Sequence, residues 1–70
     1  MPRLQKRSVS LTGHATSLAL EPEFWAVLDK AAAEDGMTMA QLIVHIDATR
    51  GQRPLASACR VYALTRASSE

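Results

Sequence analysis

Three basic side chains without an acidic neighbour could bind a polyanion. Arg3, Lys6 and Arg7 lie within the first 20 residues, which contain no aspartate or glutamate. The next 27 residues carry six acids against one lysine, and the last 23 carry four arginines against one glutamate. The net charge of +1 therefore hides a basic–acidic–basic pattern. We expect the acids to lie on solvated helix faces, and the basic segment either to meet a polyanion or simply to aid solubility.

Residues that could bind a metal or catalyse a reaction are few and lie far apart. His14 and His45 have no cysteine at ligand spacing, and His45 and Asp47 point in different directions on a predicted helix. Cys59 falls on an apolar helix face, where a buried, unreactive thiol is expected. No nucleophile stands beside a base, and no glycine-rich loop could cradle a phosphate. The sequence predicts no enzyme, no cofactor and no metal site.

Two short runs that alternate polar and apolar residues predict β structure. Val9 and Leu11 occupy odd positions, whereas Leu18 and Leu20 occupy even ones. One regular strand cannot place both sets on the same face. Gly13 must therefore provide either a turn between two strands or a bulge within one, and the sequence leaves both open.

Three apolar stripes at helical spacing follow the β runs. The first helix is predicted to begin at Pro22 and to end at Gly36. Thr38 with Gln41 three residues later fits a capping box that starts the second helix. A third helix is predicted over residues 55–66. The stripes comprise Phe24, Val27, Leu28, Ala31 and Ala32, then Met39, Leu42, Ile43 and Ile46, then Leu55, Ala58, Cys59, Tyr62 and Ala63.

The length and composition indicate one small domain that needs a source of stability beyond its own core. We expect a flexible basic arm at residues 1–6, a domain over residues 7–66 and a frayed tail at residues 67–70. A chain of 70 residues is marginally stable alone, and one cysteine allows no internal disulfide, so oligomerisation is expected. No apolar segment approaches the ~18 residues of a membrane span, and no signal core is evident, so a cytoplasmic location is expected.

The order of strand, helix, glycine turn and capped helix, carried by residues 17–25, 27–29 and 35–43, resembles the ribbon-helix-helix superfamily. The sequence is most similar to short stand-alone bacterial members over residues 7–64. The matching motifs are Arg7-Ser8-Val9, Gly13-His14, Thr16-Ser17, Leu20-Glu21, Phe24-Trp25, Ile46-Asp47, Ser57-Ala58 and Arg60-Val61.

The resemblance implies a mostly α fold with a short N-terminal β ribbon and an extra C-terminal helix, assembled as an intertwined homodimer. One strand from each subunit would pair with the other. Such a strand would have no partner in its own chain, which predicts an obligate dimer. The dimer core is expected to contain Leu18, Leu20, Phe24, Trp25, Leu28, Leu42, Ile43 and Ile46.

The resemblance also implies where DNA would bind. In DNA-binding members the ribbon enters the major groove and its outward side chains read base edges. Ser17 and Ala19 face outward by parity, where the well-characterised repressors carry larger polar residues. Ala19 offers only apolar contact, for example to a thymine methyl group. The better-equipped surface is the run that contains Arg7, Ser8, Ser10, Thr12 and His14, although a turn histidine satisfied by local hydrogen bonds is the favoured interpretation of His14.

Phosphate contacts are implied at a second place, the start of the second helix. Backbone N–H groups at Thr38, Met39 and Ala40 could hold a DNA phosphate there, or Thr38 could only cap the helix. Arg3 and Lys6 would add phosphate contacts.

Two functions remain in competition. The favoured one is a dimeric transcriptional regulator with duplex DNA as its partner. The alternative is a dimeric protein-interaction module, antitoxin-like or scaffolding, that binds a protein and no DNA. The basic segment favours the first function, and the neutral outward residues favour the second.

Overall fold

The computed structural model describes residues 3–69, which form a β-hairpin followed by three helices. Residues 1–2 of the predicted arm at residues 1–6, and residue 70 of the predicted tail at residues 67–70, lie outside the described residues. The elements are β1 Gln5–Leu11, β2 His14–Leu20, α1 Pro22–Glu34, α2 Met39–Thr49 and α3 Leu55–Ser68. The predicted order of a β ribbon, two helices and an extra C-terminal helix is confirmed.

The two alternating runs form separate strands joined by a tight turn. β1 and β2 pair antiparallel, from Gln5 opposite Leu20 to Leu11 opposite His14. Thr12 and Gly13 make the turn with φ angles of 38° and 91°, the mirror-image geometry that suits the twist of a hairpin. Of the two alternatives that the sequence left open at Gly13, the structure therefore has the turn and not the bulge. The expectation that the ribbon strand has no partner in its own chain is wrong, because β1 and β2 pair with each other.

The core lies between the inner face of the hairpin and the helices. It contains buried residues from both strands and all three helices. Trp25 is 1% exposed, although it lies beside the predicted stripe, whereas Phe24 is only partly buried. Phe24, which the sequence places in a dimer core, is thus partly exposed in the single chain. The hairpin covers the side of α1 that carries Trp25, and the indole Nε1 donates to the carbonyl of Gln5 at 2.7 Å.

Local signals determine where the helices begin. The predicted capping box is confirmed, because the Gln41 N–H donates to Thr38 Oγ1 and the Thr38 N–H donates to Gln41 Oε1. β1 begins at Gln5, so Gln5 and Lys6 belong to the hairpin and not to the predicted flexible arm at residues 1–6. α3 ends at Ser68, two residues beyond the predicted end.

Ion pairs connect α3 to the rest of the chain. Arg60 Nε donates to Glu21 Oε1 at 2.9 Å. Arg66 donates to both carboxylate oxygens of Asp35 at 2.9 Å and to the hydroxyl of Tyr62 at 3.0 Å. These bonds hold α3 against both ends of α1. Within residues 3–69, no helix has the length and apolar character needed to cross a bilayer.

Candidate nucleic-acid interface

The outer face of the hairpin is small, polar and nearly uncharged. Residues alternate between the two faces of each strand, and the inner positions include the buried Val9 and Leu18. Ser8 and Ser17 lie opposite each other at the centre of the outer face. The outer residues are Lys6, Ser8, Ser10, Ala15, Ser17 and Ala19. Hydroxyl and methyl groups therefore make up nearly all of this surface.

The register also determines which backbone groups are free at the edge of β2. A two-residue turn makes Leu11 and His14 a hydrogen-bonded pair, and such pairs alternate along an antiparallel ladder. The N–H and C=O groups of Ala15, Ser17 and Ala19 consequently point away from β1. Among residues 3–69 the sheet contains only β1 and β2, so no strand pairs with this edge.

Arg7 lies on the inner side of the hairpin, with the same parity as Val9 and Leu11. Its guanidinium donates to both carboxylate oxygens of Asp29 at 2.9 and 3.1 Å. It also lies 4.4 Å from the centre of the Trp25 ring. The hydrogen bond to Asp29 raises the pKa of Arg7 above its ordinary value. Arg7 therefore connects β1 to α1 and does not share the outer face with Ser8.

The remaining groove candidates are divided between the face and the tip of the hairpin. Ser8, Ser10 and Ser17 are exposed on the outer face. Thr12 is exposed in the turn, and His14 is exposed where β2 begins, opposite Leu11. The structure thus brings three serines together and places the threonine and the histidine at the tip.

The phosphate candidates occupy two separate places. Arg3 is exposed just before β1, and Lys6 lies on the outer face near the open end of the hairpin. Thr38 and Met39 lie at the start of α2. The Thr38 N–H is occupied by Gln41, so Met39 and Ala40 supply the N–H groups that lack an intrahelical acceptor.

The predicted dimer-core residues fill the core of a single chain. Seven of the eight are buried within it, and Phe24 is the partly buried exception.

Sequence reasoning also missed Asp29, which was expected only to face away from the core. The signal for Arg7 was available, because its parity with Val9 and Leu11 places it on the inner face, whereas nothing in the sequence indicates that Asp29 is its partner.

Comparison with known proteins gives one finding. A family model described as a ribbon-helix-helix domain matches residues 4–67, which is most of the chain. No curated protein and no solved structure matches the chain.

Proposed function

Because the chain belongs to the ribbon-helix-helix domain family, we propose that it is a dimeric, DNA-binding transcriptional regulator of the bacterial cytoplasm. The outer face of the hairpin would enter the major groove of duplex DNA. The observation that carries the proposal is the polar outer face of the hairpin together with the edge of β2 that faces away from β1. Among the described residues, no strand pairs with that edge.

The free edge of β2 supports a dimer in which two β2 strands pair antiparallel. Ser17 is central on this edge, and Ala15 and Ala19 flank it with small, uncharged side chains. The free edge of β1 carries Lys6, and a lysine on an edge strand opposes pairing with another strand. Pairing two β2 edges would give a four-stranded ribbon with one continuous outer face.

The short side chains of this face support direct contacts with base edges in the major groove. Serine hydroxyls can donate to or accept from either kind of base edge, and alanine methyl groups can contact thymine methyl groups. Ser8 and Ser17 form the central pair for such contacts. Phosphate contacts from Arg3, Lys6 and the start of α2 would supply most of the affinity, since these contacts release counterions.

The experiment that tests this function measures DNA binding at several salt concentrations, with a pool of random duplexes. We expect affinity to fall steeply with salt, and replacement of both Arg3 and Lys6 by alanine to flatten that dependence for every sequence. Ser17→Ala should change the preferred sequences at nearly constant salt dependence. Ser68→Ala, in α3, is the matched control and should change neither property. A folded dimer that binds no duplex at low salt contradicts the regulator function.

One observation favours the alternative, a protein-interaction module. Lys6 is the only charged residue on the outer face, and Arg7 is paired with Asp29. An edge of small residues can also accept an extended peptide as an added strand. Under this alternative the dimer binds a protein and shows no salt-sensitive binding to DNA.

A further inference from the structure

A cavity of about 270 Å³ opens between the C-terminal half of α2 and the N-terminal half of α3. It lies outside the hairpin and the start of α2, so the proposed DNA contacts do not involve it. Its volume corresponds to roughly nine water-sized groups, which is near the lower end of small-molecule sites.

One side of the cavity is apolar. Ile46, Ala58 and Val61 line it together with the ring of Tyr62. Ile46 and Ala58 belong to the buried core, whereas Val61 is 42% exposed. The Tyr62 hydroxyl accepts a hydrogen bond from Arg66, which fixes the direction of the ring. This side can cover a short aliphatic or aromatic group.

The other side carries two guanidinium groups. Arg50 Nε donates to Asp47 at 2.6 Å and Arg50 Nη1 donates to the carbonyl of Arg53 at 2.7 Å, so the charge of Arg50 is largely compensated. The Arg53 side chain is exposed and has no hydrogen bond or ion pair with any residue in the described range 3–69. A guanidinium can bind a carboxylate through two parallel hydrogen bonds. Arg53 is therefore the uncompensated cation beside an apolar wall.

We propose that this cavity is a binding site for a small amphipathic carboxylate, whose tail packs against Val61 and Tyr62 while its carboxylate binds Arg53. The charge of Arg53 selects an anion, and the apolar wall distinguishes this ligand from a DNA phosphate or a free inorganic anion. A ligand of about ten non-hydrogen atoms fits the volume, and an affinity in the millimolar range is expected for so small a molecule. The site would give the protein a ligand besides DNA.

The experiment titrates the uniformly ¹⁵N-labelled full chain with octanoate and follows the backbone amide resonances. We expect saturable shifts centred on Thr49, Arg53 and Val61. Octanol keeps the tail without the charge, and acetate keeps the charge without the tail. Each should bind at least about tenfold more weakly than octanoate, because each lacks one of the two contacts.

The variant Arg53→Gln should weaken octanoate binding by about tenfold or more, since it removes the charge-assisted hydrogen bonds. Arg3→Gln is the matched control and should leave octanoate binding unchanged. The proposal is overturned if Arg53→Gln binds as well as the wild type, if acetate matches octanoate, or if the shifts map to another surface. Failure of octanoate to bind, as when a second copy covers the cavity, overturns it as well. None of these results depends on whether the protein binds DNA.

Discussion

Trp25 and Arg7 show how single side chains attach the hairpin to the helices. The indole ring is buried beneath β1, its N–H donates to the Gln5 carbonyl, and the Arg7 guanidinium lies over its face. Asp29 then binds Arg7 through both carboxylate oxygens. An exposed ion pair alone contributes little, but here it holds a cation over the ring of a buried anchor. We therefore expect the position of the ribbon to depend on Trp25 more than on any surface charge.

We predict that Trp25→Phe lowers the free energy of unfolding by roughly 1–3 kcal/mol. The substitution removes one hydrogen bond and leaves a cavity where the larger ring was. Urea denaturation followed by circular dichroism measures the loss. Phe24→Leu, at the partly buried neighbouring position, is the comparison and should cost less. Equal stability of Trp25→Phe and the wild type would show that the indole does not anchor the hairpin.

We also predict a specific loss of thermal stability in acid. The hydrogen bond from Arg60 lowers the pKa of Glu21 below 4.5, and the hydrogen bond from Arg66 lowers the pKa of Asp35 below 3.8. A lowered folded-state pKa gives a contribution that is complete above the unfolded-state value and is lost as the pH falls through the folded-state value. Melting temperature should therefore fall as the pH drops below about 4.5. A Glu21→Gln, Asp35→Asn double variant should show a shallower fall, and an unchanged pH profile would contradict these pairings.

At the scale of elements, the sequence was sufficient wherever the signal was local. Alternation predicted both β runs, and Thr38 with Gln41 predicted the start of α2, because each signal depends on residues within one turn or strand. The choice between a turn and a bulge at Gly13 stayed open, since it depends on whether the following run folds back. The helical period also placed Phe24 on the apolar stripe of α1, although Trp25 beside it is the more deeply buried residue. Periodicity could not show this, because it does not indicate from which side a distant hairpin covers a helix.

The turn of the hairpin offers a prediction at this scale. Thr12 adopts a φ of 38°, which is unfavourable for a β-branched residue, whereas asparagine tolerates this region. We expect Thr12→Asn to stabilise the protein by about 1 kcal/mol and to raise the melting temperature by roughly 4–8 °C. Thr12→Val keeps the branched shape and should give no such gain. If the asparagine variant melts at or below the wild-type temperature, the turn stores no strain of this kind.

At the scale of the whole molecule, the two sides of the hairpin differ: the inner side is mostly buried and the outer side is mostly exposed. The inner side completes a core within one chain, so the sequence-based argument that a lone strand requires a partner does not hold. A dimer is supported instead by the free edge of β2 and by the outer face that pairing would extend. Family membership supports this assembly, and the backbone geometry indicates which of the two edges would form it.

We predict that Ser17→Pro abolishes the dimer while Ser8→Pro preserves it. Both N–H groups point away from the hairpin, so proline at either position removes no hydrogen bond between β1 and β2. Proline at position 17 removes a donor from the edge of β2 that we propose as the interface, and proline at position 8 removes one from the opposite edge. Sedimentation should give one chain mass of 7.6 kDa for Ser17→Pro and twice that mass for Ser8→Pro. Loss of DNA binding in the first variant alone would connect assembly to function. A wild-type protein that stays monomeric at micromolar concentration, or a dimeric Ser17→Pro, would refute this interface.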